Sequence, residues 1–228
     1  MEDSINLTGA RKRSIERDYK FYDPPEVVRS KIEQPRPRPY RRSAERLEIR
    51  DRALMSLEYI LAARVVEITG GPVRVGILPG IQAKQFYKTE DFLFVRNLKN
   101  VKHKFIKIGQ EWVEIAHWHH YPTREEIPIP RHGGLAWISE AIEAQLDLVP
   151  RGELFKISPV RAYQVINNRN GEFNHYFKDM GLKLWYRLFN RDAFRLKRFS
   201  GHKKWESLEK YMGDIDEAKE NMLAWEGP

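Results

Sequence analysis

Leu54, Leu57, Leu61, Val65 and Ile68 recur at intervals of three and four, the spacing that lines one face of an α-helix with apolar side chains. A stripe of that length has to leave water, so one face of this first helix must be buried. Ser43 is a suitable N-cap, and the pattern predicts a helix over 44–68. Downstream of it the periodicity changes. Residues 92–96 (Phe-Leu-Phe-Val-Arg), 112–115 (Trp-Val-Glu-Ile) and 127–129 (Ile-Pro-Ile) read as short strands. Helical spacing then returns over 135–148, stopped by Pro150, and over 159–168, where Pro159 suits a first turn. Further helices are predicted at 172–180, 184–189, 191–198, 203–212 and 214–225. This order predicts a mainly α fold with a small antiparallel β-sheet, an α+β class. It occupies residues 44–212, between a basic arm over 1–43 and a C-terminal helix within 213–228.

The chain has 228 residues, 41% of them hydrophobic, enough to bury a core of ordinary size. Cysteine is absent, which excludes disulfides, zinc ribbons and thiol nucleophiles. No apolar run approaches the roughly 18 residues of a membrane span, and the N-terminus lacks the apolar core of a signal peptide. A soluble intracellular protein with no membrane partner is the expectation. The formal charge of +8 attracts polyanions, nucleic acid being the commonest. In the run Gln34-Pro35-Arg36-Pro37-Arg38-Pro39-Tyr40-Arg41-Arg42, each proline disfavours helix in the residue before it. An extended basic strand results, in which Arg36, Arg38, Arg41 and Arg42 can follow a phosphate backbone; a solvated linker is the alternative.

On a helix through 68, Arg64 shares a face with Leu57, Leu61 and Ile68, so a permanent charge projects from an apolar stripe. Such a guanidinium needs a partner. Glu67 can supply it as a salt bridge, and a phosphate can supply it through the planar fork. Further on, His175-Tyr176-Phe177-Lys178 puts a histidine and a lysine three apart, on one face of a helix. Ser200-Gly201-His202 comes next, and nine residues after His202 stands Tyr211.

The stretch from Arg50 to Ile68 resembles the first signature of the tyrosine recombinases, the phage-type integrases: a helix with a catalytic arginine and an acid three residues later. Where that family usually has Thr-Gly shortly before the arginine, this chain has Ala62-Ala63. His175-x-x-Lys178 is similar to the family's His-x-x-Arg, with lysine in place of arginine. Ser200-Gly201-His202 is similar to its Leu-Gly-His, and Tyr211 stands where its nucleophile stands. The resemblance covers residues 46–212 and implies the tyrosine recombinase catalytic-domain fold.

It also implies a chemistry. A tyrosine attacks a phosphodiester, forms a 3′-phosphotyrosyl bond and frees a 5′-hydroxyl, with neither metal nor other cofactor. Negative charge grows on a five-coordinate phosphorus, so cations aimed at the nonbridging oxygens supply much of the catalysis. Arg64, Lys178 and His202 take that role. His175 helps to remove the proton of Tyr211, a weak nucleophile until a base or cationic field assists. The family's proton donor to the leaving 5′-oxygen is a lysine in a β-hairpin turn; Lys99 and Lys102 both qualify, with Lys104 third, and Lys99 is the candidate because it stands nearest the strand end, while a basic turn that touches only backbone phosphates through Lys102 and Lys104 is the alternative. The partner is double-stranded DNA, on which recombinases self-associate into a synaptic tetramer. About 45 residues precede Arg46 here, where the family usually has a helical core-binding domain, so the resemblance implies that the arm substitutes for that domain, that the chain is a reduced family member, or that a separate partner supplies the missing half. Such a protein works in the cytoplasm, at the nucleoid of a prokaryote or in a virus's host cell. A DNA-binding protein that keeps the fold without turnover is the alternative, since lysine gives up the bidentate fork. His103, His117, His119 and His120 match no closed zinc pattern.

Overall fold

The structure, a computed structural model, describes residues 22–35, 44–73, 76–96, 102–108, 111–118, 126–170, 175–202, 204–209 and 211–212. Helices α1 (Pro25–Glu33), α2 (Ala44–Leu61) and α3 (Val65–Thr69) come first. Seven strands come next among the described residues: β1 (Gly71–Val73), β2 (Gly76–Leu78), β3 (Phe86–Lys88), β4 (Phe92–Arg96), β5 (Lys102–Ile108), β6 (Glu111–Trp118) and β7 (Glu126–Pro130). Helices α4 (Ala136–Leu148), α5 (Pro159–Asn170), α6 (Tyr176–Leu188), α7 (Ala193–Ser200) and α8 (Glu206–Glu209) complete the order. The architecture is mainly helical with a small open three-stranded antiparallel sheet, an α+β class. No described helix is long and apolar enough to cross a membrane. The chain divides into two compact units, Pro24–Leu182 and the combination of Met1–Asp23 with Lys183–Pro228, the division falling inside α6.

In the larger unit α2 is the centre. Every residue from Ala53 to Leu61 is buried, because α4 covers it with Trp137, Ile138 and Ile142, α5 with Ala162, Val165 and Ile166, and α1 with Val28 and Ile32. Tyr59 stacks on Trp137 with ring centroids 6.0 Å apart. Helix α1 corrects the expectation of an arm through residue 43. Pro25 opens it, where a missing N–H costs nothing. Its two buried residues, one turn apart, are too few to form a visible stripe, although each such side chain contributes about 1.5–3 kcal/mol when buried.

The sheet has the order β3–β4–β7, all antiparallel. Leu93 and Val95 alternate with Phe92 and Phe94, and Ile127 and Ile129 with Pro128, so one face is buried. Prolines suit β7 because it lies at an edge of this sheet. Strands 92–96 and 127–129 were legible; 112–115 is the middle of β6, which pairs with β5 in a separate hairpin. Strands β1, β2 and β3 span three residues each, too few to display a period of two.

The expected helix over 44–68 is two helices. It ends in a Schellman motif, with Ala62 in the left-handed region (φ +43°), Ala63 N–H donating to the Glu58 carbonyl at 3.3 Å and Ala62 N–H to that of Tyr59 at 3.1 Å. The helices expected at 172–180 and 184–189 are one, α6, and the one expected over 203–212 is only the four residues of α8. The helix expected over 214–225 lies outside the described residues.

The smaller unit includes the end of α6, then α7 and α8. Asn190 and Arg191 turn the chain with φ of +52° and +61°, and the Asp192 carboxylate caps α7 by accepting from Arg195 N–H at 3.0 Å. Trp185, Phe189 and Phe199 close the angle between α6 and α7, with ring centroids 4.5 to 5.7 Å apart.

Candidate functional site

Arg64 departs from its expected place. Since α2 has already ended, it is not a charge in an apolar stripe but the N-cap of α3, in extended backbone (φ −75°, ψ 150°) and exposed. The Glu67 carboxylate accepts from its backbone N–H at 2.8 Å, which satisfies one of the orphan donors at the start of α3. Its guanidinium makes no hydrogen bond or ion pair among the described residues, so its five donors are open to an incoming anion. The turn before it has a cost, since Ala62 adopts a conformation that favours glycine.

His175 is likewise not on a helix. It precedes α6 with φ +90°, and its carbonyl accepts the first helical bond, from Asp179 N–H at 2.8 Å. The expectation of His175 and Lys178 on one helical face is therefore corrected: only Lys178 is helical, in the first turn of α6. It is nearly buried, at 9% exposure. The His175 ring meets the Tyr163 ring edge-on, with centroids 6.3 Å apart.

Tyr163, from α5, links these residues. Its phenol is pushed up first by burial, then by the Glu58 and Glu67 carboxylates, while Arg64 draws it down. Glu58, on α2, is in turn pushed up to about 8 by its full burial, with Lys178 opposing the rise and Asp179 adding to it. Arg64, distant in sequence from His175 and Lys178, thus shares with them the surroundings of Tyr163 and Glu58 within the larger unit. Neither Tyr163 nor Glu58 was singled out from the sequence. Glu58 carried a signal, a carboxylate inside the apolar run from Leu54 to Leu61; Tyr163 carried none.

His202 and Tyr211 belong to the smaller unit. Gly201 ends α7 in the left-handed region (φ +67°), and its N–H closes on the Lys197 carbonyl at 2.9 Å. The turn sets His202 just past the helix end, where its N–H donates to Ser200 Oγ at 3.4 Å. Tyr211 follows α8 in a turn, its N–H on the Leu208 carbonyl at 2.8 Å. Its ring lies 6.0 Å from the His202 ring, tilted by 48°, and is 3% exposed. So the adjacent Gly201 and His202 form one local arrangement with Tyr211, nine residues on.

Lys102 and Lys104 correct another expectation. They lie not in a turn but in β5, where the register pairs them with Trp118 and Ala116 of β6. Lys99, Arg36, Arg38, Arg41 and Arg42 lie outside the described residues. The same register sets His103 opposite His117, and His119 and His120 fall outside. Among the described residues no group of three or more histidines and carboxylates is placed to hold a metal ion. No family model, no curated protein and no solved structure matches this chain.

Proposed function

We propose that this chain is a tyrosine recombinase, which cleaves and rejoins DNA through Tyr211. The observation that carries this reading is the gathering of Arg64, His175 and Lys178 around Tyr163 and Glu58, with an arginine fork that has no partner among the described residues. Two cations and an imidazole, Arg64 from the start of α3 and His175 with Lys178 from the start of α6, are residue types that a dianionic transition state requires. In the reaction the Tyr211 oxygen attacks phosphorus, giving up its proton with help from His175, and the bond to the 5′-oxygen breaks. Arg64, Lys178 and His202 stabilise charge on the nonbridging oxygens. A lysine near the β4–β5 connection, Lys99 in this proposal, protonates the leaving oxygen. The phosphotyrosyl bond conserves the energy of the phosphodiester, so a 5′-hydroxyl of another strand can reverse the step without a cofactor.

The experiment is covalent trapping on a nicked duplex from which the cleaved end diffuses away. Wild type should give a protein–DNA adduct and Tyr211→Phe none; an adduct that persists in Tyr211→Phe removes Tyr211 from its role. A second reading is favoured by the burial of the Tyr211 ring and by the lysine at 178: a DNA-binding protein with the same fold and no turnover. It expects duplex binding, weakening steeply with salt, and no adduct from any variant.

A further inference from the structure

Glu58 is fully buried near the end of α2, and neither oxygen of its carboxyl has a hydrogen-bond partner among the described residues. An ionised carboxylate there would be heavily penalised, and burial accordingly pushes the group up to about 8. Lys178 reaches it for a backbone reason. One turn after Lys178 on α6 stands Gly181, where a Cβ would run into the Tyr59 carbonyl oxygen and lie 3.3 Å from Ala62 Cα. With no side chain in the way, α6 touches the end of α2. Positions three apart share a helical face, so Lys178 approaches α2 beside Tyr59, next to Glu58. The charged and titratable groups about the carboxyl are Lys178 and Asp179 from α6 and Tyr163 from α5, with Arg64 and Glu67 of the α3 start acting on Tyr163. From α4 the Trp137 ring covers Tyr59.

An arginine at 178 could hold a carboxylate and a phosphate at once with separate edges of its fork. An ammonium is a single compact charge on a flexible stem, for which two anions compete. We propose that Glu58 is a positioning residue for Lys178: its neutral carboxyl leaves the ammonium to a DNA phosphodiester, and its ionised carboxylate takes the ammonium for itself. The phosphodiester in this proposal rests on the recombinase reading; the carboxyl–ammonium couple does not.

Two measurements on the full chain test it. The first is a carboxyl-carbon NMR titration of Glu58, alone and with a short DNA duplex. Its midpoint should lie far above those of the exposed glutamates. Lys178→Met should raise it by on the order of one pH unit, since a stabilising cation is lost. The duplex should raise it in wild type but not in Lys178→Met, by the reciprocity of coupled binding. A midpoint in the ordinary carboxylate range, or one indifferent to Lys178→Met, overturns the couple. A duplex that binds wild type without moving the midpoint overturns the competition, whereas a duplex that does not bind at all overturns the recombinase reading and leaves the couple to the Lys178→Met arm. The second is the cleavage rate from pH 7 to pH 9. The ratio of Glu58→Gln to wild type should rise with pH, with its midpoint at the DNA-bound value that the first measurement reads; a constant ratio overturns the proposal.

Discussion

In the recombinase reading, lysine at 178 is the residue on which the chemistry turns. It stands in the first turn of α6, nearly buried, and its charge acts on the buried Glu58 carboxyl. Arginine would restore a bidentate hold on phosphate, and its charge does not depend on its neighbours. Lys178→Arg should therefore cleave as fast as wild type or faster. Lys178→Ala removes a charge contact to the transition state and should slow cleavage by about 10² or more. Single-turnover rates on the nicked duplex decide this, and equal rates for wild type and Lys178→Ala would take Lys178 out of the site. Arg64 presents a related case. Its sequence context marks it as a charge that needs a partner, but the apolar stripe of α2 ends before it. Its significance lies in a fork exposed at the start of α3.

At the scale of elements, the ends of helices place the functional residues. Arg64 follows the close of α2, His175 precedes α6, His202 follows the close of α7, and Tyr211 follows α8. Three of these ends use residues with positive φ, Ala62, His175 and Gly201, and they differ in cost. Gly201 adopts φ +67° freely, while Ala62 at φ +43° strains its Cβ by about 1–2 kcal/mol. Glycine at 62 would relieve that strain but gain about 0.4–1 kcal/mol of freedom in the unfolded chain. Ala62→Gly should thus stabilise the fold by about 1 kcal/mol. Denaturant unfolding measures it, and a midpoint that falls would mean that the Schellman geometry at Ala62 is not what holds the turn before Arg64.

At the scale of the molecule, the net charge of +8 suits a protein that meets DNA. Ile215, Ala218, Met222 and Trp225 recur at helical spacing after Tyr211, an apolar stripe that must be covered. In the recombinase reading that segment passes to a neighbouring protomer, and head-to-tail exchange closes into a cyclic assembly. The free chain should then be monomeric, and deleting residues 214–226 should abolish synapsis of two DNA sites while single-site binding persists. Gel shift with light scattering tests both; unchanged synapsis, or collapse of the fold, would count against exchange.

The sequence by itself determined the α+β class, helix α2, strands β4 and β7, and helices α4 and α5, because each has its own period of buried side chains. It also marked Arg64, His175, Lys178, His202 and Tyr211 as candidates for chemistry. It misjudged where several of them stand, because Ala62-Ala63 carries no stop signal and nothing local distinguishes a helix that starts at Tyr176 from one that starts at 172. Only the tertiary structure decided that Glu58 and Tyr163 lie among Arg64, His175 and Lys178. Close approach of α6 to α2 at Gly181 depends on a Cβ that is absent, meeting a carbonyl more than a hundred positions away. Periodicity along one segment reports which face is buried, and is silent about which residue of another segment buries it.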